Sequence, residues 1–224
     1  MFTFVNPLII NLKNYDEISG ENSLKIAQEA KKVSQLNRKE IIIAPPTSSI
    51  MALAEINLPI ISQHVDDAAL GATTGFTIPE IIKSHGAIGS IINHSEHKIE
   101  HARVSNLVIR LRELDMISIV CADDLQEVEA LSQFSPDYLA IEPPELIGKG
   151  IAVSKANPSI ITDSVQVVKR ISPMVKVLCG AGIVDKTDVQ KALELGAEGI
   201  LISSGVVKSG SWYDKILELS SVLK

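Results

Sequence analysis

Eight short apolar runs, separated by helical or turn-forming segments, constrain the fold of this chain more than any other feature. The runs lie at 8–12, 40–44, 59–63, 87–92, 116–121, 137–141, 175–179 and 199–202. They are continuously apolar, which is typical of parallel strands buried on both faces. Helical periodicity between the runs is clearest at 23–36, 105–114, 159–171 and 186–195. The alternation predicts an α/β fold.

Eight strand–helix units in 224 residues predict one (β/α)₈ barrel domain that spans residues 1–224. The alternative is an open, doubly wound sheet, but no G-x-G-x-x-G motif follows the first predicted strand. Aromatic residues make up only 4% of the chain, and Ile, Val, Leu and Ala supply most of the 46% that is hydrophobic. That composition suits a sheet covered by helices.

Charge and hydropathy argue against several classes of protein. The net charge is -6 and no basic cluster is present, which argues against nucleic acid as a partner. No secretory leader pattern and no membrane-spanning apolar run is found, so we expect a cytoplasmic protein. Cys121 and Cys179 each end a strand-like run, and we expect both to be buried, reduced thiols.

An acid–base pair is predicted where two strands end. His94 and Glu142 follow the fourth and sixth apolar runs, and the carboxyl ends of strands are where barrel enzymes carry out their chemistry. A carboxylate and an imidazole that face one molecule suit proton transfer next to a carbonyl. If His94 faces the start of a helix, its uncharged form is favoured. Glu96 either supports this site or favours that helix start.

Cationic and small residues predict how an anion is held. Lys13 ends the first strand, with Asn11 two residues earlier and so on the same side, and suits a phosphate or an oxyanion. The segments 179–182 and 202–205 lie at the ends of the last two predicted strands, and apart from Cys179 and Ile202 they contain only Gly, Ala and Ser. These small residues allow backbone amides to approach a phosphate. Phosphate sites after strands seven and eight recur in barrels.

Two further features were weighed as sites. His97 and His101 are four residues apart and could form a metal pair on a helix, but a solvated helix face is the favoured interpretation because no third ligand is evident. The segment 142–150 has prolines at one end, Gly148-Lys149-Gly150 at the other and Leu146 and Ile147 between them. That pattern predicts a lid that closes over a ligand.

Taken together, these segments resemble the triosephosphate isomerase family, and in particular its short archaeal-type branch. The resemblance rests on N-L-K at 11–13, N-H-S-E at 93–96, E-P-P-E-L-I-G-K-G at 142–150, C-G-A-G at 179–182 and S-S-G at 203–205. It covers essentially the whole chain. The segment 71–75 resembles that family's protruding loop, which packs into a neighbouring subunit. Leu12 and Lys149 depart from the residues usual in the family.

The resemblance implies a TIM barrel that interconverts dihydroxyacetone phosphate and D-glyceraldehyde 3-phosphate, in glycolysis and gluconeogenesis, without a metal or an organic cofactor. It implies that Glu142 moves the proton, that a neutral His94 polarises the substrate oxygens, and that Lys13 stabilises the enediolate and the phosphate. It also implies a homo-oligomer, either a dimer or a tetramer.

The same resemblance assigns the remaining substrate contacts. Asn11 would orient the substrate, and backbone groups of a further set would hold the phosphate: Ile147, Gly182, Ser203 and Ser204. Two alternatives remain open from the sequence. One is another phosphosugar barrel enzyme, such as a metal-dependent epimerase. The other is a catalytically inactive barrel that serves as a binding module.

Overall fold

A parallel sheet of seven strands forms the centre of the molecule, in a computed structural model that describes residues 4–143 and 157–223. The strands are β1 (Leu8–Asn11), β2 (Ile41–Ala44), β3 (Gly89–Ile92), β4 (Ile117–Ala122), β5 (Tyr138–Ile141), β6 (Lys176–Cys179) and β7 (Ile200–Ile202). Their order is β2-β1-β7-β6-β5-β4-β3. Seven of the eight predicted strands are therefore present, within one or two residues of the expected bounds.

The one remaining predicted strand, the third along the chain at 59–63, lies between the two edges of this sheet. Ile60 forms a parallel bridge with Ile43 of β2, and Ser62 forms one with Ser90 of β3. The segment makes isolated bridges and no continuous ladder. Pro59 contributes to this difference, because it has no backbone N–H to donate. The bridges bring the sheet close to a closed ring, which agrees with the predicted (β/α)₈ TIM barrel.

Helices follow the strands along the chain. They are α1 (Asn22–Asn37), α2 (Ile50–Ala54), α3 (Pro79–Ser84), α4 (His101–Glu113), α5 (Leu125–Ser132), α6 (Pro158–Ile171), α7 (Lys186–Glu194), α8 (Ser204–Val207) and α9 (Trp212–Ser220). The four helices that the sequence indicated most clearly correspond to α1, α4, α6 and α7. Among them, α4 begins four residues before its predicted start, and the other bounds agree within one residue.

The strands are apolar throughout because successive side chains enter two different cores. Ile9 of β1 and Ile42 of β2 belong to a cluster inside the barrel, whereas Ile10 and Ile43 belong to the cluster between sheet and helices. Successive side chains of a strand point to opposite faces, so both faces must be apolar when both are covered. This is the physical origin of the continuous runs in the sequence.

No helix within residues 4–143 and 157–223 combines the length and the apolarity needed to cross a membrane. Cys121 is the last residue but one of β4, and Cys179 ends β6; both are fully buried free thiols. The prediction that the two cysteines are buried is confirmed.

Candidate active site

The carboxyl ends of the strands surround a cavity of about 290 Å³ that brings the predicted site residues together. Lys13, His94 and Glu142 all line it, although they come from the ends of β1, β3 and β5. Asn11 lines it as well. The loops that were expected to hold a phosphate complete the wall, through Gly182, Ser203 and Ser204.

Glu142 is the residue after β5, and its side chain is almost entirely removed from solvent, with 3% exposed. Its backbone N–H donates to the Ala122 carbonyl oxygen at 2.8 Å, which ties the position to β4. The Cys121 thiol lies beside its carboxylate and favours the charged form. One carboxylate oxygen, Oε2, has no hydrogen-bond partner among the described residues, and it lies 3.6 Å from His94 Nε2.

Burial raises the pKa of the Glu142 carboxyl above its usual value, and His94, Cys121 and Lys13 oppose part of that rise. The cause is the loss of hydration, which penalises the charged form. A carboxylate of this kind is a stronger base than one in water. An oxygen without a hydrogen bond is also free to accept a proton from a bound molecule.

The proton of a neutral His94 is placed by a backbone contact. The Glu96 amide N–H donates to His94 Nδ1 at 3.1 Å, so Nδ1 is an acceptor. In a neutral imidazole the proton is then on Nε2, the nitrogen that faces Glu142. The ring is 7% exposed and can therefore present an N–H donor to an oxygen atom in the cavity.

The predicted reason for an uncharged His94 was wrong. The next helix, α4, begins at His101, so His94 does not stand at a helix start. Residues 95–97 instead form a turn, in which the His97 N–H donates to the His94 carbonyl oxygen at 2.7 Å. The backbone group that contacts the His94 ring is the Glu96 amide, not a helix N-terminus.

Two contacts hold Lys13 at the wall of the cavity, one of its backbone and one of its side chain. Its backbone lies in the left-handed region, with φ 49°, and its N–H donates to Asn11 Oδ1 at 3.0 Å. Its ammonium lies 2.6 Å from Glu96 Oε1. Glu96 does not lie at the start of α4, which begins at His101, so the structure favours the interpretation in which Glu96 supports the residues of the cavity. Glu96 contacts His94 through its amide and Lys13 through its carboxylate.

The loops after β6 and β7 leave polar groups directed at the cavity. Gly182 has a φ of 72°, a conformation that favours glycine. Ser203 precedes α8, and the first backbone N–H groups of any helix have no partner within it. The Ser203 hydroxyl is buried without a hydrogen-bond partner in the described part of the chain. These groups line the cavity and can bind an anion there.

Several predicted features lie outside the described residues. Ile147, Lys149 and the apolar centre of the predicted lid fall in 144–156, which is not described. The structure describes Glu142 and Pro143 of that segment. The lid therefore stays a prediction.

The candidate metal pair does not form as a pair on one helix. His101 is the first residue of α4, whereas His97 precedes the helix and stacks on His64, with ring centroids 3.9 Å apart. His101 Nε2 lies 3.6 Å from Glu127 Oε1. The spacing of four residues was therefore not helical spacing.

Comparison with known proteins agrees with this geometry. The family model described as triosephosphate isomerase matches residues 6–219. The chain belongs to the triosephosphate isomerase family. Curated proteins of that name are 46% identical in Methanothermus fervidus, over 89% of this chain and 90% of the relative. They are 45% identical in Cenarchaeum symbiosum, over 96% and 97%, and 43% in Methanocaldococcus jannaschii, over 95% and 97%.

The chain is thus an isomerase, and three neighbours of its acid–base pair were missed by the sequence analysis. Cys121 was expected only as a packed thiol, yet it contacts the Glu142 carboxylate. Tyr15 and Lys208 line the cavity and were not singled out at all. A lysine or tyrosine near a strand end carries no distinctive local pattern, so the sequence offered no signal for these two.

A substitution at Gly180 tests how strongly the turnover rate depends on the position of the Glu142 carboxylate. A Cβ atom at residue 180 would lie 2.3 Å from Glu142 Cγ, so Gly180→Ala must displace the carboxylate. We expect kcat to fall by about 10–10²-fold, as for a catalytic group moved by about 1 Å. Gly210→Ala is the matched control, since nothing lies within 4 Å of its added Cβ. Equal kcat values for the two variants in a steady-state assay would show that the carboxylate tolerates displacement.

The raised pKa of Glu142 also predicts a pH-dependent stability difference. The pKa of Glu142 is higher in the native state than in the unfolded state, so the native state binds more protons. The free energy of unfolding of the wild type therefore falls as the pH rises from the usual carboxyl range through the raised pKa. Glu142→Gln removes this loss. We expect the variant to gain stability relative to wild type between pH 4 and pH 7, by about 1.4 kcal/mol for each unit of elevation.

Urea unfolding at the two pH values measures this difference. Glu55→Gln, at an exposed position after α2, removes the same charge and serves as the control. A free-energy difference between Glu142→Gln and wild type that is the same at both pH values contradicts the elevated pKa.

Proposed function

We propose that the chain interconverts dihydroxyacetone phosphate and D-glyceraldehyde 3-phosphate, with Glu142 and His94 as its proton-transfer pair. The observation that carries this proposal is the 3.6 Å separation of Glu142 Oε2 from His94 Nε2 inside one cavity. That separation is too long for a good hydrogen bond, so neither group is committed to the other. Both groups are available to a molecule that binds in the cavity beside them.

The reaction needs a base that removes a proton from one carbon and returns it to the next. Glu142 takes the proton from the carbon next to the carbonyl, and the electron pair of that bond moves to form an enediolate. The His94 Nε2–H group donates to the oxygen on which charge develops. The proton of the adjacent hydroxyl group moves to the former carbonyl oxygen, which makes the hydroxyl oxygen the new carbonyl oxygen. Glu142 then delivers its proton to the former carbonyl carbon, so no atom is gained or lost.

A cation and a set of backbone donors complete the proposed roles. Lys13 stabilises the developing negative charge and the phosphate, and Asn11, which holds the Lys13 backbone, orients the substrate. Gly182, Ser203 and Ser204 bind the phosphate through their loops, and Ile147 does so from the lid. The Ser203 hydroxyl, buried without a hydrogen-bond partner in the described part of the chain, supports this part of the proposal.

The coupled isomerase assay on purified protein tests the function, and two variants test the roles. Glu142→Asp withdraws the base by one methylene, so we expect kcat to fall about 10²–10⁴-fold while the far-ultraviolet circular dichroism spectrum is retained. His94→Asn should lower kcat by a larger factor than it weakens binding of inorganic phosphate.

Inactive wild-type protein would refute the proposal in favour of a barrel that only binds. Unchanged kcat in Glu142→Asp would remove the assigned base. Loss of wild-type activity on addition of a chelator would favour the metal-dependent alternative.

We further propose one domain over residues 1–224 that works in the cytoplasm as a homo-oligomer. The buried thiols Cys121 and Cys179 suit a reducing compartment. The assembly would use the loop at 71–75, which is exposed and carries apolar side chains at both ends. Leu70 is 58% and Phe76 53% exposed, and large exposed side chains of this kind mark contact surfaces.

Light scattering of the purified protein tests the assembly. We expect wild type to be at least a dimer and Phe76→Asp to shift the mass towards the monomer, because burying an unpaired carboxylate in an interface is unfavourable. Leu36→Asp, at a 64% exposed position of α1, is the control. A wild-type monomer at working concentration contradicts this assembly, as does an identical mass shift in the control.

A further inference from the structure

We propose that Lys208, held over the ring of Tyr15, is a second cation for the phosphate group and sets the affinity of the site for dianionic substrates. This inference rests on the proposed function, because it concerns the recognition of that function's phosphate. Both residues line the cavity that contains His94 and Glu142. The Lys208 ammonium lies 4.4 Å from the centroid of the Tyr15 ring.

The position of Lys208 directs its side chain towards the proposed phosphate loop. Lys208 follows α8 directly and lies four residues after Ser204, and its N–H donates to the Ser204 carbonyl oxygen at 3.0 Å. Residues four apart on a helix share a face, and helical side chains lean towards the N-terminus. Lys208 therefore belongs to the same helical turn as Ser204, and both residues line the cavity.

Tyr15 is a fixed support for this cation. Its ring packs against the core cluster between sheet and helices, and it lies two residues after Lys13, in the loop that follows β1. A cation within about 6 Å of an aromatic ring centroid is attracted by the negative face of the ring. The contact joins the loop after β1 to the end of α8 across the cavity mouth.

The charges around the cavity show why a second cation matters. Lys13 lies 2.6 Å from Glu96, so its charge is largely balanced by that carboxylate. Glu142 adds a negative charge, and Lys208 has no carboxylate within salt-bridge distance among the residues that the structure describes. Without Lys208 the site would be net negative, in a protein whose overall charge is already -6.

A dianion that approaches such a protein depends on local charge. The overall field repels it, and a nearby cation that is not neutralised raises its local concentration and its affinity. The effect of an exposed cation is screened by salt, with a Debye length of about 10 Å at 0.1 M. Lys208 should therefore act on phosphate affinity and on kcat/KM, in a salt-dependent way, and little on kcat.

Two measurements on Lys208→Met test the inference. The dissociation constant of inorganic phosphate, from phosphorus-31 NMR titration, needs no catalysis, and steady-state isomerase kinetics give kcat and KM. At low ionic strength we expect about a 3–10-fold weaker affinity for inorganic phosphate, a similar fall in kcat/KM and less than about a 2-fold change in kcat. The differences should shrink at high salt.

Matched variants separate this role from a general charge effect and from a structural one. Lys25→Met removes the same charge from the outer surface of α1, so it should leave the phosphate affinity near that of wild type. Lys208→Arg keeps the charge and the ring contact and should restore most of the affinity. Tyr15→Phe should stay closer to wild type than Tyr15→Leu, which removes the ring face.

Three results would overturn the inference: unchanged phosphate affinity in Lys208→Met at low ionic strength, an equal loss in Lys25→Met, or a loss that high salt does not reduce. Failure of the proposed function would look different. A wild type without isomerase activity would refute that function, whereas the phosphate titration would still report on Lys208.

Discussion

Burial of the Glu142 carboxylate beside His94 is the constraint on which the rest of this site depends. A carboxylate that loses its hydration is costly unless other groups compensate, and this one keeps an oxygen without a hydrogen bond in the described structure. The same loss of hydration raises its pKa and makes it a more effective base. Stability and basicity therefore oppose each other at a single residue, as expected of a site shaped by catalysis.

The barrel makes this arrangement possible because each site group has its own strand. Lys13, His94 and Glu142 follow β1, β3 and β5, and parallel strands deliver their carboxyl ends to one face of the molecule. Backbone contacts then set the details. The Glu96 amide fixes the acceptor on His94, and the link from the Glu142 N–H to Ala122 fixes the base relative to β4.

Most of the fold, and the meeting of His94 and Glu142 in one cavity, could be predicted from the sequence, because both follow from local patterns. Continuous apolar runs identified the strands. A His or Glu that follows such a run lies at the carboxyl end of its strand, and the carboxyl ends of parallel strands share one face of the barrel. The segment 59–63 pairs with both sheet edges through isolated bridges and not through a continuous ladder, a difference that its apolar composition does not reveal. The start of α4 was placed four residues too late, because the helix begins at His101 and not near Ser105.

Contacts between distant loops were less accessible to sequence reasoning. The pairing of Lys13 with Glu96 joins residues from two different strand ends, and the stacking of Lys208 on Tyr15 joins the first and last parts of the barrel. Neither has a spacing that a sequence pattern could reveal. These contacts decide how much positive charge the site offers an anion, which is why charge counting along the sequence alone gave an incomplete description.

The central claim is that a buried carboxylate moves a proton between adjacent carbons, with the charge held on an oxygen by an uncharged imidazole. Conversion of dihydroxyacetone phosphate in deuterium oxide tests it most directly, with the aldehyde product trapped as it forms and examined by mass spectrometry and proton NMR. The account predicts deuterium on the carbon next to the aldehyde, because a proton held on Glu142 can exchange with solvent. Product formed without any deuterium on that carbon would indicate direct hydride transfer and would contradict the account.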